Sequence, residues 1–365
     1  MTDAEAYVAF NLTERIGSVK LSSLALEYGG VAAAWEACKD KTARSGGEVD
    51  VAAEMKLAKK YGVKIITPVD AEYPPSLLEL SSHPLALYVK GDPKALSRPA
   101  ISIVGTRRAT EYGLDQARII AGDLARSGWC VVSGLALGID AAAHNGALSA
   151  GGTTVGVIGS GLDRFYPEEN RSLAREIVQK GGAVVSEFPF GRPPDQHTFP
   201  QRNHIIAAIS KGILAIEAPV KSGTLITTSF ASEIGRTVMA LPGRVDSHAS
   251  QGCLSLLRGG ATLVRSARDV NAEFEGLFQP QTLNSSTQNS HTQNPPTPNS
   301  PASSMLDIEE ALIMKCVGHE AVSLEDLAVK TRLSASKVNA LAMMLRLKGL
   351  VRFLPGNRIS RPREP

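Results

Sequence analysis

The chain has 365 residues, 43% of them hydrophobic, 21% charged and only 5% aromatic, with a formal net charge of +3. That length exceeds one average domain and suffices for a substantial buried core, so two or three domains are expected. The composition excludes disordered, collagen-like and disulfide-scaffold classes, and no stretch approaches the roughly 18 uninterrupted apolar residues that mark a membrane-spanning helix.

From Met1 to about Lys64 the chain reads as a small helical domain, with helical apolar spacing in LALEYGGVAAAWEA and VAAEMKLAKKYG. Asp3 and Glu5 stand where a secretory leader would carry its apolar core, which argues against a signal peptide. The four cysteines (Cys38, Cys130, Cys253, Cys316) are scattered and form no C-x-x-C pair. A reducing, cytoplasmic setting follows from that pattern, with neither a disulfide framework nor a zinc module.

From Ile65 to residue 278 the pattern changes to short apolar runs alternating with helical stretches. The runs are AISIVG (100–105), WCVVSG (129–134), TTVGVIG (153–159), AVVSEF (183–188), GILAIEA (212–218), TVMALPG (237–243) and ATLV (261–264). YGLDQARIIAGDLARSG and RSLAREIVQKGG read as crossover helices between them. Strands alternating with helices predict a doubly wound, mostly parallel α/β sheet of Rossmann-like type. Residues 279–304 contain five prolines and no Lys, Arg, Asp or Glu, so they read as a disordered tether. A third unit, 305–365, follows. Ser323 and Ser334 precede its helical runs as N-caps, with Asp326 three residues after Ser323. VRFLPGNRIS then reads as a hairpin, and three helices with a hairpin make a winged helix-turn-helix. Between Lys330 and Pro365 nine Lys or Arg stand against Glu364 alone. Lys337, Arg346, Lys348, Arg352 and Arg358 are therefore candidate contacts to duplex or single-stranded DNA, and a protein-binding winged helix is the other reading.

In doubly wound sheets ligands gather at the carboxyl ends of the strands, where helix N-termini present free amides. Gly105, Thr106, Arg107 and Arg108 follow the first long run, Ser133 and Gly134 the second, and Lys221, Ser222, Gly223 and Thr224 the fifth. Close backbone approach, hydroxyl donors and cations on one sheet edge suit a phosphate or another anion. In 195–210, Phe199 precedes Gln201, Arg202 and Asn203. An aromatic beside Arg and Asn can stack a base while the cation meets a phosphate, or Phe199 can serve as a core anchor. GSGLDR (159–164) lacks the third glycine of a dinucleotide loop, and no Walker A string occurs, so no nucleotide cofactor is expected. The seven histidines show no metal-ligand spacing, and His144 reads as a packing residue within a helix. No catalytic residue is assigned: Ser133 and Ser222 lack a local activating partner, and Glu187 and Glu217 can simply bond loop amides.

Taken together, SIVGTRRAT, VVSGLALGIDAAAH, GVIGSGLDRFYPEEN, VVSEFPFG, FPQRNHIIAAIS, ILAIEAPVKSGTLITTSFASEIGR and VMALPG resemble the DprA (Smf) family of bacterial DNA-processing proteins, in the family's order from about Ile65 to Ala272. The resemblance implies a non-catalytic protein that binds and protects single-stranded DNA and hands it to the RecA recombinase during natural transformation. It also implies a homodimer and a winged helix at the end of the chain. By matching position, Arg107 becomes the central phosphate ligand with the Gly105 and Thr106 amides, Phe199 stacks a base, Arg202 and Asn203 line the same pocket, and Lys221 to Thr224 hold a neighbouring phosphate. Leu137, Gln196 and His204 stand where the family often carries cations, which predicts a weaker salt dependence for the α/β body alone. Two other classes compete with this reading. A nucleotide phosphoribohydrolase would need P-G-G-x-G-T-x-x-E, whose pieces here are split between LPGR and KSGT. A winged-helix transcription regulator would bind an operator duplex in place of a single strand.

Overall fold

The computed structural model describes residues 1–275 apart from 14, 15 and 44–48, and within 308–361 all but 319–321, 332, 334–336, 339, 340, 343, 344, 346–349 and 355–357. The expected tether, 279–304, lies outside the described residues. The chain divides into two compact units, Met1–Ser285 and Ser286–Pro365.

The first unit begins with four helices. Helix α1 (Asp3–Leu12) opens with a capping box in which Thr2 and Glu5 satisfy each other's backbone amides. The apolar run read as helical around Tyr28 is two helices, α2 (Ser18–Tyr28) and α3 (Val31–Ala43), because Gly29 and Gly30 take positive φ and end the first. Helix α4 (Val51–Tyr61) is capped by Asp50. Phe10 and Trp35, edge to face at 5.1 Å, centre a small core with Leu21 and Ala34.

The α/β body follows in the order β1 (Lys64–Ile66), α5 (Pro75–Leu78), β2 (Leu87–Gly91), β3 (Ala100–Val104), α6 (Glu111–Arg126), β4 (Cys130–Ser133), α7 (Ile139–Ser149), β5 (Thr154–Val157), α8 (Arg171–Gln179), β6 (Ala183–Ser186), α9 (Thr198–Ala208), β7 (Gly212–Ala215), α10 (Gly223–Glu233), β8 (Thr237–Ala240), α11 (Gln251–Arg258), β9 (Thr262–Leu263) and α12 (Ala267–Glu273). All seven apolar runs contain strands. The nine-stranded sheet has the order β1-β2-β6-β5-β4-β3-β7-β8-β9, parallel from β6 to β9. Strands β1 and β2 pair antiparallel on the β6 edge, an extension the sequence pattern did not single out. Helices cover both faces, so the central strands are buried throughout and mostly apolar, and their alternation only sorts residues between two cores. Ile101, Ile103 and Val131 pack with Leu124 and Trp129, while Val104, Val132 and Val157 pack with Ile205 and Ile206.

The second unit contains α13 (Ile308–Cys316), β10 (Val322–Ser323), α14 (Leu324–Thr331), helical residues at 337, 338, 341, 342 and 345, and strands β11 (Arg352–Leu354) and β12 (Arg358–Ser360). The strands form an antiparallel sheet in the order β10-β12-β11, and Ile313, Leu327, Val338, Leu345 and Ile359 fill the core. This is the winged-helix arrangement the sequence predicts, with Ser323 accepting from the Asp326 amide at 3.0 Å. Arg361, one of the nine cations counted from sequence, donates to the carbonyls of Val317 and Met314 at the end of α13. Among the described residues no helix is long and apolar enough to cross a membrane.

Candidate nucleic-acid interface

Strand order decides where a ligand collects. From β3 the chain builds outward through β4, β5 and β6 on one side, and through β7, β8 and β9 on the other. The order therefore reverses between β3 and β7, and the loops leaving their carboxyl ends diverge over a crevice. Its volume is about 360 Å³, and its walls include Gly105 to Arg108, Phe199, Asn203 and Lys221 to Thr224. Residues from three separate sequence runs thus meet at one place.

The β3 loop is held from beneath by Glu217, which follows β7. The Thr106 amide donates to the Glu217 carbonyl at 2.8 Å, and the Thr110 amide and hydroxyl donate to the Glu217 carboxylate at 2.9 and 2.6 Å. Thr110 is also the N-cap of α6. Glu217 accordingly bonds a loop amide, one of the two roles open to it from sequence. Gly138, at φ 78°, lets α7 start against the Thr106 carbonyl, where a side chain would collide. So braced, the loop presents Arg107 and Arg108 to solvent, and among the described residues no carboxylate pairs with them or with Lys221. Unpaired cations around a concavity focus a positive potential on it.

Across the crevice, the Arg107 guanidinium lies 5.0 Å from the Phe199 ring centroid. Tyr166 lies on another side of Phe199, at 6.0 Å between centroids and 47° between planes. Tyr166 was not singled out from sequence, although it follows β5 and the strand-end rule applied to that loop would have found it. Phe199 is half-buried: it packs on the body and keeps an accessible surface, which leaves both of its sequence readings open. At the far wall, Ser222 is the N-cap residue of α10 without a side-chain cap bond, and its hydroxyl is buried without a partner. Gly223 and Thr224 open that helix, whose first amides have no intrahelical partner.

Other expected site residues lie deeper. Arg202 is buried at 6% exposure, and its guanidinium donates to the carbonyls of Gly134 and Val157. Its Nε donates to Asn203 Oδ1 at 2.9 Å. Burial pulls its pKa down to about 10, opposed by the nearby Asp140 carboxylate. Asp140 in turn accepts from the Gly134 and Ala136 amides at 3.1 and 3.4 Å, and burial raises its pKa. Arg202 and Asp140 therefore form the floor that shapes the crevice. Gly134 is needed there because a Cβ would meet the Arg202 guanidinium. Ser133 is fully buried and its hydroxyl donates to the Ile103 carbonyl at 2.6 Å, stitching β4 to β3 instead of facing the crevice. His144 is buried with Nδ1 2.7 Å from the Thr154 hydroxyl, and burial drives its pKa to about 3, as befits a packing residue.

His204 is a correction to the sequence reading, which put its missing cation near the pocket. It lines a different cleft, with Nε2 3.9 Å from Glu187 Oε2. Leu137 does border the aromatic slot beside Tyr166 and Phe199. In the winged helix, Lys337 is exposed on a helical segment, and Arg352 and Arg358 lie on the paired strands β11 and β12. Arg346 and Lys348 fall outside the described residues.

Comparison with known proteins gives a consistent answer. Residues 64–275 match the family model "DNA recombination-mediator protein A", and residues 295–357 match "DprA winged helix domain". Protein Smf of Synechocystis is 35% identical over 319 residues, covering 82% of this chain and 80% of its own length. The X-ray structure of DNA processing protein A from Streptococcus pneumoniae superposes with a TM-score of 0.64 at 34% identity, covering 75% of this chain and 99% of that one. DNA processing protein A from Helicobacter pylori, solved for its single-stranded DNA binding mode, superposes at 0.53 with 30% identity, covering 58% of this chain and 95% of its own.

Proposed function

The chain belongs to the DNA recombination-mediator protein A family, and from that premise we propose that its switch-point crevice binds single-stranded DNA. The observation that carries the reading is one concavity lined by unpaired Arg107, Arg108 and Lys221, by a stackable Phe199, and by the free helix start at Ser222 to Thr224. Single strands are held by that combination: backbone phosphates by cations and helix-terminal amides, bases by aromatic faces. Arg107 is the central phosphate ligand, Phe199 with Tyr166 is the stacking platform, and Lys221 to Thr224 take the next phosphate. Arg202 acts from the floor through its charge and through the shape it imposes on Gly134 and Asn203.

The finer expectations rest on family membership alone: protection of incoming DNA, hand-over to RecA, a homodimer, and action in the cytoplasm without catalytic turnover. The domain division into 1–64, 65–278, a tether at 279–304 and 305–365 belongs to the same proposal, as does duplex binding by the winged helix. Gel shifts with single- and double-stranded oligonucleotides test the central reading. Wild type should retain the single strand and Arg107→Ala should need a higher protein concentration to do so; equal retention by both would remove the crevice from the DNA path.

A further inference from the structure

The loop that leaves β5 carries two aromatic residues in succession, and they border different spaces. Tyr166 is 46% exposed and lines the slot beside Phe199. Phe165 lines a separate groove of about 350 Å³, walled by Tyr61 at the end of α4, Lys90 of β2, Leu162 of the same loop, and Arg175 and Val178 of α8. Adjacent Cα atoms lie only about 3.8 Å apart, so the slot and the groove follow one another along one stretch of backbone. Helix α8 then carries the groove about 13 Å away from the loop, to Lys90, which sits opposite Val184 of β6.

The groove repeats the chemistry of the crevice with other residues. Its floor is apolar: Leu162, Phe165 and Val178 are half-buried and keep accessible surface. Cations stand round the rim. Lys90 and Arg175 are exposed, and Lys60 is exposed with its ammonium 5.5 Å from the Tyr61 ring centroid. Among the described residues no carboxylate pairs with any of the three. The neighbouring carboxylates are already engaged. Glu168 holds Arg171 through two bonds of 2.6 Å, Glu176 pairs with Lys180 at 3.0 Å, and Asp163 in the groove wall accepts from the Gly191 amide at 2.8 Å. Arg171 in turn lies 5.6 Å from the Phe165 ring centroid, as Arg107 lies over Phe199. Uncompensated cations around an apolar concavity attract a polyanion that also carries flat apolar groups, which is the chemistry of a single strand. An acidic peptide would match the rim alone; the continuity with Tyr166 selects the strand.

We propose that this groove is a second binding segment for single-stranded DNA, in which Lys60, Lys90 and Arg175 take backbone phosphates and the floor of Leu162, Phe165 and Val178 takes a base. The proposal rests on the single-strand reading of the crevice: a strand stacked at Phe199 and Tyr166 passes across the β5 loop, and the first contact raises the effective concentration of the second. It also gives the N-terminal helices a part in the DNA path, through Lys60 and Tyr61 of α4.

The test compares anisotropy titrations of the full-length chain with oligonucleotides of about six and about twenty nucleotides, which fill one segment and both. Wild type should bind the longer strand more tightly and with a steeper slope of log K against log salt. Lys90→Gln with Arg175→Gln should flatten that slope by about 1.4, a roughly ten- to fifteen-fold loss at about 0.15 M salt, and leave the short strand unchanged. Both side chains are exposed, so the melting temperature should hold. Lys60→Gln, on a different element, supplies a second reading with a roughly four-fold loss on the long strand alone. Wild-type and double-variant lines that coincide on the long strand overturn the proposal, and so does an equal loss on both lengths, which would mean charge acting at a distance. Binding of neither oligonucleotide by wild type instead defeats the single-strand reading itself.

Discussion

Arg107 and Phe199 touch each other, yet they should fail in different ways. Three exposed, unpaired cations border the crevice: Arg107, Arg108 and Lys221. For single strands each neutralised phosphate contributes roughly 0.7 to the slope of log K against log salt, so the crevice should supply a slope of about −2. Removing Arg107 should flatten the slope by about 0.7. At a salt concentration of about 0.15 M that contact is worth about 0.8 kcal/mol, a roughly four-fold loss. Phe199→Leu keeps apolar volume but removes the ring, and should cost about 1–3 kcal/mol of stacking with the slope unchanged. The 5.0 Å contact between guanidinium and ring couples the pair, so the double variant should lose less than the sum of the single losses. Anisotropy titrations at several salt concentrations read all three quantities. Thermal unfolding serves as the control, since Arg107 is exposed and its loss should move stability by less than about 0.5 kcal/mol. Parallel salt lines for wild type and Arg107→Ala would refute the assignment of a phosphate to Arg107, and a slope change in Phe199→Leu would refute the division of labour.

Three further outcomes follow from the same geometry. Arg202→Met leaves the buried Asp140 carboxylate uncompensated and should destabilise the first unit by about 3–5 kcal/mol, whereas Arg202→Met with Asp140→Asn should recover part of that loss in urea unfolding. Gly138→Ala must hold φ 78° and press a methyl on the Thr106 carbonyl, so a drop in melting temperature together with weakened strand binding is expected. Stability should also fall at both ends of the pH scale. Burial raises Glu187 to about 8, so its contribution is complete below the carboxyl's unfolded value of 4.5 and is lost as pH rises through about 8. Burial lowers His144 to about 3 and His204 to about 4, so theirs is complete above 6.5 and is lost as pH falls through those values. Melting temperatures of wild type and Glu187→Gln across that range should differ in the alkaline arm and coincide in the acidic one.

The sequence by itself determined the elements. Seven apolar runs separated by amphipathic stretches carry period and length locally, and all seven contain strands of one sheet. The loop chemistry at Gly105 to Arg108 and Lys221 to Thr224 was legible for the same reason: glycine, hydroxyl and cation after a strand express a local backbone requirement. Strand order was not legible, because pairing is a long-range choice among apolar faces that look alike. It is the order that brings three distant runs to one crevice and sends β1 and β2 to the far edge. Burial was equally hidden. Arg107 and Arg202 are the same residue type, yet one stands in solvent over Phe199 and the other lies beneath Gly134 with its donors spent on two backbone carbonyls and Asn203. His204, two residues along α9 from Arg202, was read from sequence as the place of a missing cation near the crevice; the 3.6-residue turn carries it to the opposite face. Which side of a helix meets which wall is settled by packing around the whole circumference, and only the tertiary structure contains that information.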